Sequence, residues 1–183
     1  MSPSKNNLPL HLRIALPVAL VVIGALVLSG AAVMENLRFM HATEQTFRFV
    51  DLARSQAAIQ KDFAANANED IFADLQHFGQ IVPPTSYVNP WGGQIRATTL
   101  SNMLMRFESD VPTHDCRRLA LDFIGRNPVG LGLLAIEAQP VVQGGAWSGI
   151  YASPQPAGHP GGIVRMACGN APYARLALIF RMR

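Results

Sequence analysis

Apolar side chains divide the chain into three stretches of different rhythm. From Ile14 to Met34 the 21 residues carry no charge, and Ser29 and the glycines are the only breaks in an otherwise apolar run. At a helical rise of about 1.5 Å per residue the run spans about 31 Å, enough for a hydrocarbon core of about 30 Å. From Glu35 to about Asn66 neither Pro nor Gly occurs, and Leu37, Met40, Phe47, Val50, Ala53, Ala57 and Ile59 recur at spacings near three and four. That spacing predicts an amphipathic helix continuing the first run, with Arg38, Glu44, Gln45, Arg48, Asp51, Arg54 and Lys61 at other angles. Phe39 and Phe49 fall off the stripe, which points to a helix covered on more than one face. A second, short helix is expected over Glu69 to Phe78 through Ile71, Phe72, Leu75 and Phe78, stopped by Gly79.

Beyond Pro83 the rhythm shortens to β-prone pieces separated by turn residues. Asn89-Pro90-Trp91-Gly92-Gly93 is a turn by composition, since Pro sets one φ and Gly permits positive ones. Gln94 to Thr99 and Met103 to Ser109 are expected as strands of one hairpin. A helix of about 13 residues should begin near Pro112, with Asp110 close to its N-cap and Cys116, Leu119, Ala120 and Phe123 on one face. Leu133 to Val142 is expected as a strand. Gly144-Gly145 and Ser153 to Gly162 are expected as exposed loops, with Trp147, Ile150 and Tyr151 in a short strand between them, and Tyr173 to Met182 as the last strand. The resulting layout is a basic tail (1–13), a membrane helix (14–34), a stalk helix (35–66) and a globular α+β domain (67–183).

Composition limits what this layout can do. The chain has 183 residues, 49% hydrophobic and 15% charged, with a net charge of +3. So low a charged fraction argues against a disordered chain, and the length leaves room for one core rather than for separate cofactor and substrate domains. The 15 Lys and Arg residues are scattered, Arg117-Arg118 being the longest run, so no nucleic-acid partner is expected. Lys5 and Arg13 precede the apolar run and no acid occurs in the first 34 residues. The positive-inside rule then keeps the N-terminus in the cytoplasm and carries the body across the membrane into an oxidising space. A rival is a secretory signal cut at Ser29-Gly30-Ala31. The run exceeds the 7 to 15 residues of a usual signal core, and Pro17 is tolerated in membrane helices, which favours an anchor.

Two cysteines, Cys116 and Cys168, both on the exported side, are expected as a disulfide. The rival, a reactive thiol with His114 as base, places the two side chains about 200° apart on a helix. The histidines His11, His41, His77, His114 and His159 are isolated and lack ligand spacing, so no metal is expected. Gly144-Gly145 and Gly161-Gly162 lack phosphate-loop spacing, and Ser148 lacks a nucleophile elbow. Glu69-Asp70 are expected as charges at a helix start, and Trp91 and Trp147 as aromatics packed beside turns. No catalytic residue and no cofactor is expected.

The order of these parts resembles a type IV pilin. Asn89 to Ile95, the stretch Phe107 to Ala120 with Val111-Pro112 and Cys116-Arg117-Arg118-Leu119-Ala120, and the late Cys168 are similar to the PilS-like type IVb pilins over roughly Ser55 to Arg183. The resemblance implies an α+β subunit whose long N-terminal helix packs on an antiparallel sheet, with a C-terminal disulfide and no catalytic activity. It implies assembly with itself or other pilin subunits, by the pilus machinery, from a bacterial inner membrane with a periplasmic domain towards a surface fibre, including conjugation or secretion pili. Leu37, Met40, Phe47 and Val50 would form the assembly interface. The N-terminus departs from the family plan, in which the apolar half of the helix follows the cleavage site. Gly30, Ala31 and Glu35 match the spacing of a processing signal, yet Asn36 to His41 cannot stay in a membrane. We read that match as chance. The alternative to a fibre subunit is an uncleaved single-pass assembly factor with a pilin-like exported domain; a secreted binding domain is the third.

Overall fold

The structure, a computed structural model, describes residues 10–59, 68–77, 87–101, 103–153 and 160–182. The first helix, α1 (Leu10–Ile59), is 50 residues long. The chain divides into two compact units, Met1–Arg38 and Phe39–Arg183, and α1 contributes to both. In the first unit the described side chains from Val21 to Arg38 are all exposed. Among the described residues this is the helix long and apolar enough to cross a membrane, with a window of mean hydropathy 1.3, none of it buried.

The second unit is α+β. After α1 come α2 (Ile71–His77), the hairpin β1 (Ile95–Ser101) and β2 (Leu104–Pro112), and α3 (Thr113–Gly125). Then follow β3 (Leu133–Pro140), β4 (Ser148–Ala152), α4 (Pro160–Cys168) and β5 (Tyr173–Arg181). The five strands form one antiparallel sheet in the order β1-β2-β5-β3-β4, so the last strand enters the middle. Central β5 is apolar for the reason central strands usually are: Ala174, Leu176, Leu178 and Phe180 are buried on the helix-covered side, and Ala177 is buried on the other.

Packing begins on α1. Ala42, Thr43, Thr46, Phe49, Val50, Ala53 and Ala57 recur at three- and four-residue spacing and are buried. The ring of Phe49 lies 5.4 Å from Phe107 of β2 and 4.5 Å from Phe72 of α2. The buried hydroxyls of Thr43 and Thr46 donate to the carbonyls of Phe39 and Ala42 at 3.1 and 2.9 Å, which satisfies them within the helix. Each fully buried Phe, Leu or Val contributes about 1.5–3 kcal/mol over its exposed state. Val111, Cys116, Leu119, Ala120 and Phe123 close the same core from β2 and α3.

The hairpin, α3, β3 and β5 lie where the sequence places them, within a few residues. The largest difference is α4. Pro160, Gly161 and Gly162, expected in a loop, form its first turn, because Pro is tolerated at a helix start where its missing N–H has no acceptor to lose. Val164, Ala167 and Cys168 then turn inward. Asp110 lies two residues before the N-cap of α3, as expected. Pro112 holds that position without a side-chain bond, and the Asp110 carboxylate receives both Nε and Nη2 of Arg175 at 2.6 and 3.1 Å. Trp147 precedes β4 rather than joining it. Residues 1–9 of the tail, 60–66 of the stalk, Phe78 with Gly79, and 154–159 lie outside the described residues.

Candidate functional site

The surface that the sequence singles out is the exposed side of α1. Leu37 and Met40 are exposed at 44% and 63%, as the proposed interface requires. Val50 is exposed at only 2% and belongs to the domain's own core. Phe47 is half-buried, its ring 5.4 Å from Phe123 and beneath the guanidinium of Arg126. Val50 is therefore removed from the interface and Phe47 is largely removed: Val50, Ala53 and Ala57 of the expected stripe do turn inward, but they close the domain's own core, and Leu37 and Met40 are left exposed. The missed signal was Ala42 and Phe49, which share one face at helical spacing with Ala53, a residue already on the expected stripe. Gly30, Ala31 and Glu35 all lie within α1, exposed, with no break in the helix at the Gly30-Ala31 bond.

Cys116 and Cys168 form the expected disulfide, both fully buried, with Cα atoms 6.1 Å apart. The bond joins α3 to α4. Next to it Arg117 Nη2 donates to the Gly169 carbonyl at 2.6 Å, and Gly169 takes φ +69° against the Pro140 ring, a position suited to Gly.

The Asn89–Gly93 turn is built around one buried side chain. Asn89 Oδ1 accepts the N–H groups of Trp91 and Gly93 at 3.0 and 2.9 Å. Its Nδ2 donates to Ser109 Oγ and the Asp110 carbonyl at 2.9 and 2.6 Å. Gly92 has φ +81°, and a Cβ on Gly93 would lie 1.7 Å from the Asp110 carbonyl oxygen. The motif thus locks the entry to β1 onto β2. Trp91 packs half-buried against the core.

Sequence reasoning missed the charged layer on the other face of the sheet, because its pairings depend on register. Arg106 Nε meets Glu108 at 2.7 Å and Nη1 meets Glu137, across β5, at 2.8 Å, with Trp147 stacked 4.1 Å from the guanidinium. Asp110 raises the pKa of Arg175 by its hydrogen bonds. On the helix side Arg54 reaches from α1 to the carbonyls of Arg181 and Leu131 at 2.9 and 2.7 Å, and burial lowers its pKa. Burial raises the Tyr87 phenol above its ordinary value, where the ring stacks on Phe72 at 3.8 Å. Each of these charges is placed as a structural tie between elements. No known protein family, curated protein or solved structure matches the chain.

Proposed function

We propose that this chain is a structural subunit of the pilin type, anchored in a bacterial inner membrane with its α+β domain exported. In this reading it joins copies of itself or other pilin subunits along α1 into a type IVb-like pilus, or a related conjugation or secretion pilus, and has no catalytic role. The observation that carries the reading is the division of one 50-residue helix into an exposed apolar stretch and a stretch built into a disulfide-closed domain. An exposed apolar helix outside a membrane must be covered, and a neighbouring helix covers it at a gain of about 25 cal/mol per Å². Leu37 and Met40 supply that contact where the helix enters the domain.

A double variant, Leu37→Asp with Met40→Asp, should leave the domain folded and abolish fibres in sheared surface material; fibres at normal yield would overturn the reading. The second reading, an uncleaved membrane assembly factor, is favoured by the unbroken helix through Gly30 and by the apolar run that precedes Glu35. The intact mass of the native protein separates the two. A species in surface fibres supports the subunit, and a start at Ala31 there would overturn the reading of Gly30, Ala31 and Glu35 as a chance match; a species confined to the membrane and retaining Met1 supports the assembly factor.

A further inference from the structure

Contacts along α1 define two rims of the domain. The Arg118 guanidinium of α3 stands 4.2 Å from the Phe39 ring, and Phe123, further along α3, lies 5.4 Å from Phe47. Helix α3 therefore runs in the same direction as α1 and begins at the rim where α1 enters. At that rim Thr113 N donates to the Pro172 carbonyl at 3.1 Å, and the next residue, Tyr173, accepts from Val141 N at 3.0 Å. The turn after β3 is thus part of the entry rim. At the far rim Arg54 is bound to the carbonyls of Leu131 and Arg181, where β5 ends.

The entry rim is apolar where it protrudes. Val141, Val142 and Tyr173 are exposed, Val142 at 54%, and no charged residue occurs from Pro140 to Ser153. The turn presenting the two valines is held by its backbone: Val142 N donates to Pro140 and Gly145 N to Val142, at 2.9 and 3.1 Å. Gly144 takes φ +77°, and a Cβ on Gly145 would lie 2.3 Å from the Pro140 carbonyl oxygen. Val141 and Val142 are therefore fixed outward rather than left to collapse onto the core. On the neighbouring first turns of α3 Asp115 is buried, Arg117 is tied to the Gly169 carbonyl and Arg118 lies over the Phe39 ring.

Only Glu35 to Arg38 separate Met34, the end of the uncharged run, from Phe39. Five helical steps amount to about 7.5 Å, and the headgroup layer on each side of a bilayer is about 5–7 Å thick. We infer that the entry rim docks on the membrane surface, with Val141, Val142 and the Tyr173 ring in the headgroup layer. This inference rests on the reading of 14–34 as a membrane span.

The test uses the full chain with one added fluorophore. Val142→Trp at the entry rim and Val129→Trp at the far rim, both at exposed positions, are reconstituted into phosphatidylcholine–phosphatidylglycerol vesicles with and without shallowly brominated acyl chains. Flotation of the vesicles after alkaline carbonate extraction, which strips chains held only at the surface, reports the span independently. The emission added by Val142→Trp should fall about twofold or more in brominated vesicles while that added by Val129→Trp stays unchanged. Equal quenching at the two sites, or none at position 142 on a floated chain, overturns the docking and leaves the span standing. A chain that does not float overturns the span and the docking with it.

Discussion

The two ends of α1 obey different rules although they are one helix. Up to Met34 the run is apolar on every side, and its described side chains are exposed; from Ala42 to Ala57 the helix has an inward stripe flanked by the half-buried Phe47 and Leu52, with mostly polar residues elsewhere. The first kind of helix suits a medium without water, and the second suits one wall of a core. Met40 and Val50 sit on either side of that change. Val50→Asp places an unpaired charge in a sealed site and should cost more than about 4 kcal/mol, enough to unfold the domain. Met40→Asp should leave the domain's melting within about 0.5 kcal/mol of the parent, as surface changes do. Urea unfolding of both variants checks the contrast; a fully folded Val50→Asp domain would break it.

The disulfide tests whether the domain half stands by its own core. It closes a chain separation of 52 residues. The chain-entropy argument puts the loss on replacing both Cys116 and Cys168 by Ser at about 4 kcal/mol, less any native strain that is relieved. Thermal unfolding of the double variant should show a large drop in midpoint, matched by the reduced parent. Unchanged stability under oxidising conditions would mean that the bond constrains nothing the core does not already hold.

Most of the frame was legible because it depends on local pattern. The uncharged run, the Pro- and Gly-free stalk, the hairpin alternation and the spacing of Cys116, Leu119, Ala120 and Phe123 each reflect a period that folding obeys. What escaped depends on neighbours distant in sequence. Val50 and Phe47 looked like interface because the inward stripe of α1 is decided by Phe72, Phe107 and Phe123, none of which the helix's own spacing reveals. Arg106 with Glu137 needs the register through β5, and Asp110 with Arg175 needs the order of strands. Helix α4 was hidden by Pro-Gly-Gly, residues that punctuate loops more often than they open helices.

Two smaller effects sharpen the comparison within the domain. Asn89→Ala strands the N–H groups of Trp91 and Gly93, both held by its side chain, and should cost about 2–3 kcal/mol. Gly93→Ala should act at the same place by collision with the Asp110 carbonyl, and hydrogen exchange would show β1 opening first in both. Arg54→Met removes the guanidinium that lies 5.8 Å from the Phe180 ring centre and its two charge-assisted bonds to carbonyls, for about 2 kcal/mol. Its signature is loosening of the 131–132 turn and the end of β5 alone. A uniform loss of protection over the sheet would assign Arg54 to the core instead.

The smallest effect is a titration that only the domain half can feel, since 14–34 holds no ionisable side chain. Burial, followed by the nearby charge of Asp70, raises the Tyr87 pKa above its ordinary 10.0. The charged form of tyrosine is the phenolate, so the folded state keeps the proton that the unfolded state loses first. Stability is therefore intact below pH 10.0 and falls as pH rises from there through the folded-state pKa. Because the Tyr87 ring stacks on Phe72 and Phe72 packs on Phe49, phenolate formation should loosen α2 and the second half of α1 together. Phenolate absorbance followed alongside near-ultraviolet dichroism should show the two changes coinciding. Tyr87→Phe should remove the part of the alkaline loss that belongs to this ring; a Tyr87→Phe protein with the parent's full alkaline profile would place that loss on the other tyrosines.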